Sequence, residues 1–91
     1  MSMMYNLQNK KIIITGASKG LGYVCARALE KEGAQLVLMA RSEEKLEALK
    51  NFFSEPSKHL SIVVDLTDLD QLRRGIKKAQ LFLGNVDIVL H

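Results

Sequence analysis

The segment Thr15-Gly16-Ala17-Ser18-Lys19-Gly20-Leu21-Gly22 constrains the fold of this 91-residue chain more than any other. It follows the β-branched run Ile12-Ile13-Ile14, which reads as a buried strand of the kind parallel sheets use. After it, Leu21, Val24, Cys25, Ala28 and Leu29 fall at i, i+3, i+4, i+7 and i+8. That spacing predicts a helix with one apolar face, ended by Gly33. A strand that turns through glycines into a helix N-terminus offers free backbone N–H groups, close approach and positive potential, which suit a phosphate. Gly16 is expected to make the tight turn, Gly20 to leave room for a pyrophosphate, and Gly22 to let the helix pack near the strand.

The alternation continues. Gln35–Ala40 contains Leu36, Val37, Leu38 and Met39, a second buried strand. Ser42 is a candidate N-cap, with Glu43 and Glu44 in the first turn and Leu46, Leu49 and Phe53 on the apolar side. Ser54–Lys58, with Pro56, reads as a loop, and Leu60–Val64 as a third strand. Thr67 with Asp70 makes a capping-box signature. The helix it opens carries Leu69, Leu72, Ile76, Ala79 and Leu83, and Gly84 and Asn85 end it. Val86–Leu90 is the fourth strand. The order βαβαβαβ with short connections predicts an α/β fold with a parallel sheet and right-handed crossovers. Residues 1–91 form one domain of this kind.

The glycine spacing is G-x-x-x-G-x-G rather than the G-x-G-x-x-G of many Rossmann proteins. It resembles the pattern of the short-chain dehydrogenase/reductase family. Asp65-Leu66-Thr67-Asp68 resembles that family's Asp-Val-Thr-Asp stretch, and Val86–His91 resembles the strand leading into its Asn-Asn-Ala-Gly motif. Leu7–Thr15 resembles its first strand. The resemblance covers nearly the whole chain. It implies a Rossmann-type doubly wound sheet, truncated here after the fourth strand. It also implies a dinucleotide site in which Asp65 and the backbone at Leu66 contact adenine. Gly16, Ser18, Lys19, Gly20, Leu21 and Gly22 are the phosphate-loop candidates.

In such folds an acid at the end of the second strand selects NAD, and a basic neighbour accommodates the 2′-phosphate of NADP. Ala40 stands where NAD-type relatives place Asp, and Arg41 follows it. Lys19 is a cation that NADP-preferring relatives often carry. A phosphate dianion beside Ala40 meets no repulsion, Arg41 can donate charge-assisted hydrogen bonds, and Ser42 can add a hydroxyl. NADP(H) is therefore expected ahead of NAD(H).

The family's hydride transfer uses a Tyr with a Lys four residues later, and a Ser. None is identifiable here. Tyr5 is followed at that spacing by Asn9 and Tyr23 by Arg27. The chain is expected to be the cofactor half of an oxidoreductase that interconverts a small carbonyl and an alcohol only when complete, and to be inactive alone. A fragment or truncated frame is expected, because His91 stands at the first Asn of Asn-Asn-Ala-Gly. A non-catalytic nucleotide-binding fragment or sensor, and a basic interaction module, are the alternatives.

Net charge is +3, which favours anionic ligands but is too small to imply nucleic acid. One cysteine precludes an internal disulfide and fits a cytoplasmic location. Met1–Lys11 has no long apolar run, so neither a signal peptide nor a membrane span is expected. Cys25 reads as a small core residue. His59 and His91 are isolated in sequence, so no metal site is expected. Arg73, Arg74, Lys77 and Lys78 read as a solvated face. The edge left by the fourth strand is expected to drive self-association or homo-oligomerisation.

Overall fold

The computed structural model describes residues 7–91. Tyr5 and the rest of the opening 1–6 segment lie outside the described residues. The elements run β1 (Lys11–Thr15), α1 (Gly20–Lys31), β2 (Gln35–Ala40), α2 (Glu43–Lys50), a 3-10 turn (Pro56–Lys58), β3 (Leu60–Val63), α3 (Leu69–Leu83) and β4 (Ile88–Leu90). The four strands form one parallel sheet in the order β3-β2-β1-β4. This is the Rossmann-like arrangement expected, with the order reversing at β1.

Alternate residues of each strand serve opposite faces. Ile12, Ile14, Leu36 and Leu38 pack with Ala26 of α1 and with Leu46 and Leu49 of α2. Ile13, Val37, Met39 and Ile62 pack on the other face with Ala79 and Leu83 of α3. Both faces of the sheet are covered, which is why its strands are apolar at nearly every position. Gly75 lets α3 lie close: a Cβ there would meet Met39 Cε at 2.6 Å.

Four details depart from the sequence reading. The first concerns α1, whose expected apolar face is largely turned outward: Leu21 is 79% and Val24 60% exposed. The helix instead buries Ala26 and Glu30, with Tyr23 and Leu29 packed beside them. Ala26 packs there against the strands, and Leu21 and Val24 are left on the other side. Second, Asp68 rather than Thr67 caps α3. Its carboxylate accepts from the amides of Asp70 and Gln71, while the Thr67 hydroxyl is turned back to Asp65. Third, β4 is shorter than expected, because the Asp87 carboxylate accepts the Lys11 amide and occupies that edge of β1. Fourth, Leu69 is exposed at the start of α3, whereas the rest of its expected apolar side is buried or half-buried.

Candidate dinucleotide site

All four strands end at one pole of the sheet, and the glycine loop leaves β1 there. Gly16 N–H donates to Met39 O at 2.8 Å, which ties the loop to the end of β2. Gly16 and Gly20 adopt φ of 68° and 61°, left-handed values that disfavour any side chain. A Cβ built at either would meet nothing within 4 Å, so both positions face open space above the loop. Gly22 differs. Its φ is ordinary, but a Cβ there would meet Gly16 O at 2.5 Å. The close approach is thus between helix and loop rather than between helix and strand.

Helix α1 begins without a side-chain cap and with no acid in its first turn. By contrast, Ser42 Oγ accepts the Lys45 amide at 3.2 Å to cap α2, and Asp68 caps α3. The first amides of a helix have no partner within it. At α1 those of Gly20, Leu21 and Gly22 are left to the open pole. Free donors, positive dipole and two positions where a side chain is disfavoured fit a bound diphosphate.

Two cavities flank the loop and share Gly16. On the β2 side a cavity of about 280 Å³ is lined by Ser18, Lys19, Ala40, Arg41, Ser42, Lys45 and Leu66. On the β4 side one of about 410 Å³ is lined by Thr15, Leu21, Gly22, Cys25, Leu90 and His91, among others. The chain therefore brings Gly16, Ser18, Lys19, Arg41, Ser42 and Leu66 together around one cleft, and places Leu21 and Gly22 around the other. Asp65 does not line either. Its Oδ1 accepts from the Thr67 amide and hydroxyl, and its own amide donates to Gln71 Oε1. Those Thr67 bonds, with a smaller contribution from Arg41, hold the Asp65 carboxyl below its usual range against a slight opposing effect of burial.

Four residues take unexpected places. Lys45 lines the β2-side cleft but carries no motif that marks it. Cys25 is half-buried on the β4-side cleft rather than sealed in the core. His59 is not isolated: it is 3% exposed, with Nε2 3.7 Å from Glu30 Oε2. His91 Nδ1 lies 2.7 Å from Thr15 Oγ1. Among the described residues no group of three His, Cys, Asp or Glu could hold a metal ion, and no helix is long and apolar enough to cross a membrane.

Residues 10–91 match the family described as short chain dehydrogenase. The chain belongs to that family. Within it, an uncharacterised oxidoreductase of Staphylococcus aureus (strain USA300) is 36% identical over 85 residues, which is 93% of this chain and 36% of the relative. A short-chain type dehydrogenase/reductase from Mycobacterium marinum superposes with a TM-score of 0.84 at 34% identity, over 92% of this chain and 34% of that one. A 3-ketoacyl-(acyl-carrier-protein) reductase from Brucella melitensis, solved with NADH, gives 0.81 at 26% identity, over 91% of this chain and 33% of that one. This short-chain dehydrogenase chain spans about a third of the length of the relatives it matches.

Proposed function

We propose that the chain is the NADP(H)-binding part of an oxidoreductase that transfers hydride between nicotinamide and a carbonyl or alcohol. The observation that carries the cofactor choice is the cleft at the end of β2. Lys19, Arg41 and Ser42 line it, and Ala40 stands where an acid would repel a 2′-phosphate. The relative solved with NADH shows that the family also accepts the unphosphorylated cofactor, so the preference has to come from these side chains.

When bound, the dinucleotide supplies or accepts the hydride. The chain's own residues hold it. The amides of Gly20, Leu21 and Gly22 would hold the diphosphate, and the absence of side chains at Gly16 and Gly20 would leave room for it. The Arg41 guanidinium would offer a planar fork of donors to a 2′-phosphate. The Ser42 oxygen already accepts the Lys45 amide, so its hydroxyl proton is free to point into the cleft. Leu66 borders the same cleft, and Asp65 belongs to this set through its stretch of sequence alone.

No Tyr-x-x-x-Lys occurs in these 91 residues, and this observation supports a binding role without catalysis for the chain by itself. The proposed location is the cytoplasm, on the single cysteine. Titration of the chain with NADPH and NADH, followed by nucleotide fluorescence, tests the reading. At least about tenfold tighter NADPH binding is expected, the worth of one charge-assisted contact. Equal affinities would overturn it.

A further inference from the structure

We propose that Lys45 is a third cation of the 2′-phosphate clamp and helps set the preference of this cleft for a 2′-phosphorylated adenosine. The inference rests on the NADP(H) reading above and adds a residue that no motif marks.

Lys19, Arg41 and Lys45 reach one cavity from three separate parts of the chain: the glycine loop, the end of β2 and the first turn of α2. No carboxylate lines that cavity. Three positive charges thus meet at one cavity, and the nearby carboxylate of Asp65, which feels Arg41, is turned to the Thr67 amide and hydroxyl rather than into the cavity. Helix neighbours do not supply a counter-charge for Lys45. The residues three and four positions away are Ser42, Arg41, Ala48 and Leu49, none of them acidic. Arg41, just before the cap of α2, carries the same sign and borders the same cavity. Among the described residues no Lys or Arg forms a salt bridge with a carboxylate. Glu43 and Glu44, in the same first turn, do not border the cavity.

The Lys45 backbone is anchored where the clamp needs it. Its amide donates to Ser42 Oγ at 3.2 Å, so the stem starts from a point fixed against the Ser42 hydroxyl. Arg41 is suited to two directed hydrogen bonds, and Lys45 to a compact point charge on a long stem. A phosphate dianion between them would relieve their mutual repulsion and satisfy both. A ribose with free hydroxyls would gain nothing from the second cation.

Adenosine 2′,5′-bisphosphate and 5′-AMP are the probes, since they differ by the 2′-phosphate alone and need only the adenosine end of the site. Each is titrated calorimetrically into the parent chain and into Lys45→Gln, Lys45→Arg, Arg41→Gln and Lys50→Gln. The parent and Arg41→Gln test the NADP(H) reading, and the Lys45 variants test the inference. The parent is expected to prefer the bisphosphate, and Arg41→Gln to lose that preference. Lys45→Gln is expected to lower the ratio of the two affinities about fivefold, the scale of a solvent-exposed charge pair, with 5′-AMP binding unchanged. Lys45→Arg should restore the ratio, and Lys50→Gln, on the same helix but away from the cleft, should leave it alone. A parent preference that Lys45→Gln leaves unchanged overturns the inference and leaves the NADP(H) reading standing. An equal loss for both probes overturns it too, since the charge would then act on any nucleotide. A parent with no preference overturns both.

Discussion

His59 Nδ1 accepts the backbone N–H of Leu36 at 3.0 Å, which fixes the buried imidazole as the neutral ring with its proton on Nε2. The bond joins the start of β2 to the residue just before β3. On the far side of the ring, Glu30 Oε2 lies 3.7 Å from Nε2 and itself accepts from the Ser54 amide and hydroxyl. Phe53 meets the imidazole edge-on at 4.9 Å. One buried polar cluster thus pins α1, β2 and the α2–β3 connection together at the pole opposite the glycine loop.

This cluster makes stability depend on pH. Burial lowers the His59 pKa from 6.5; the negative charge of Glu30 opposes this, and the positive charges of Lys58 and Lys50 reinforce it. A group whose folded pKa is depressed stabilises the fold above its unfolded pKa and loses that contribution as the pH falls. Burial also acts to raise the Glu30 pKa, but the hydrogen bonds from Ser54 and Glu55 together outweigh it and leave it below 4.5. The parent should therefore lose stability in two stages, first as the pH drops below 6.5 and again below 4.5. His59→Asn keeps an acceptor for Leu36 and cannot titrate, so its urea midpoint should stay flat between pH 7.5 and 5. His59→Leu leaves the Leu36 amide unpaired and should cost about 1–3 kcal/mol at every pH. A parent midpoint that does not move from pH 7.5 to 5 would contradict this assignment.

Two glycine variants should separate binding from folding. Gly20→Ala places its Cβ in open space at a left-handed φ, so a cost of about 1–2 kcal/mol in stability is expected. Its effect on dinucleotide affinity should be larger than on stability. Gly22→Ala forces a Cβ against the Gly16 carbonyl, and backbone must move. Its destabilisation should be about 1–3 kcal/mol, the scale of overpacking. Urea denaturation and NADPH titration on both variants check the contrast. Loss of stability without loss of binding in Gly20→Ala would count against the placement of the diphosphate.

Much of the architecture was readable because parallel strands buried on both faces leave long apolar runs, as at Ile12–Ile14 and Leu36–Met39. The Ser42 cap and the positive-φ glycines Gly33 and Gly84 were readable because few residue types meet those demands. The orientation of α1 was not. Periodicity reports which side of a helix is greasy, whereas the side that faces the sheet here carries Ala26 with Tyr23 and Leu29 beside it. The pairing of Glu30 with His59 joins residues 29 positions apart (59 − 30) and has no local signature. Lys45 looked like any surface lysine, because the cleft it borders exists only once Lys19 and Arg41 are brought beside it.

The outward stripe of α1 carries an expectation about association. Leu21, Val24 and, on β4, Val89 are exposed, and β4 forms one edge of the described sheet. Exposed apolar side chains on both sides of a sheet edge, Leu21 and Val24 on the α1 side and Val89 on the other, favour self-association. The 91-residue chain should elute above monomer size, and Val24→Lys with Val89→Lys should shift it toward monomer. Lacking a Tyr-x-x-x-Lys, the same sample should oxidise no NADPH with a panel of aldehydes, ketones and 3-oxoacyl thioesters. A monodisperse monomer with saturable turnover would refute both expectations.

The cofactor assignment is tested most directly by reversing one charge at the end of β2. Arg41→Asp puts an acid beside the cleft, where it should repel a 2′-phosphate and accept hydrogen bonds from ribose hydroxyls. Calorimetric titration of the parent and of Arg41→Asp with NADP and NAD gives four dissociation constants. The expected result is a parent that binds NADP at least about tenfold tighter and a variant that binds NAD tighter. A parent with equal affinities, or a variant that keeps the parent's preference, would contradict the assignment.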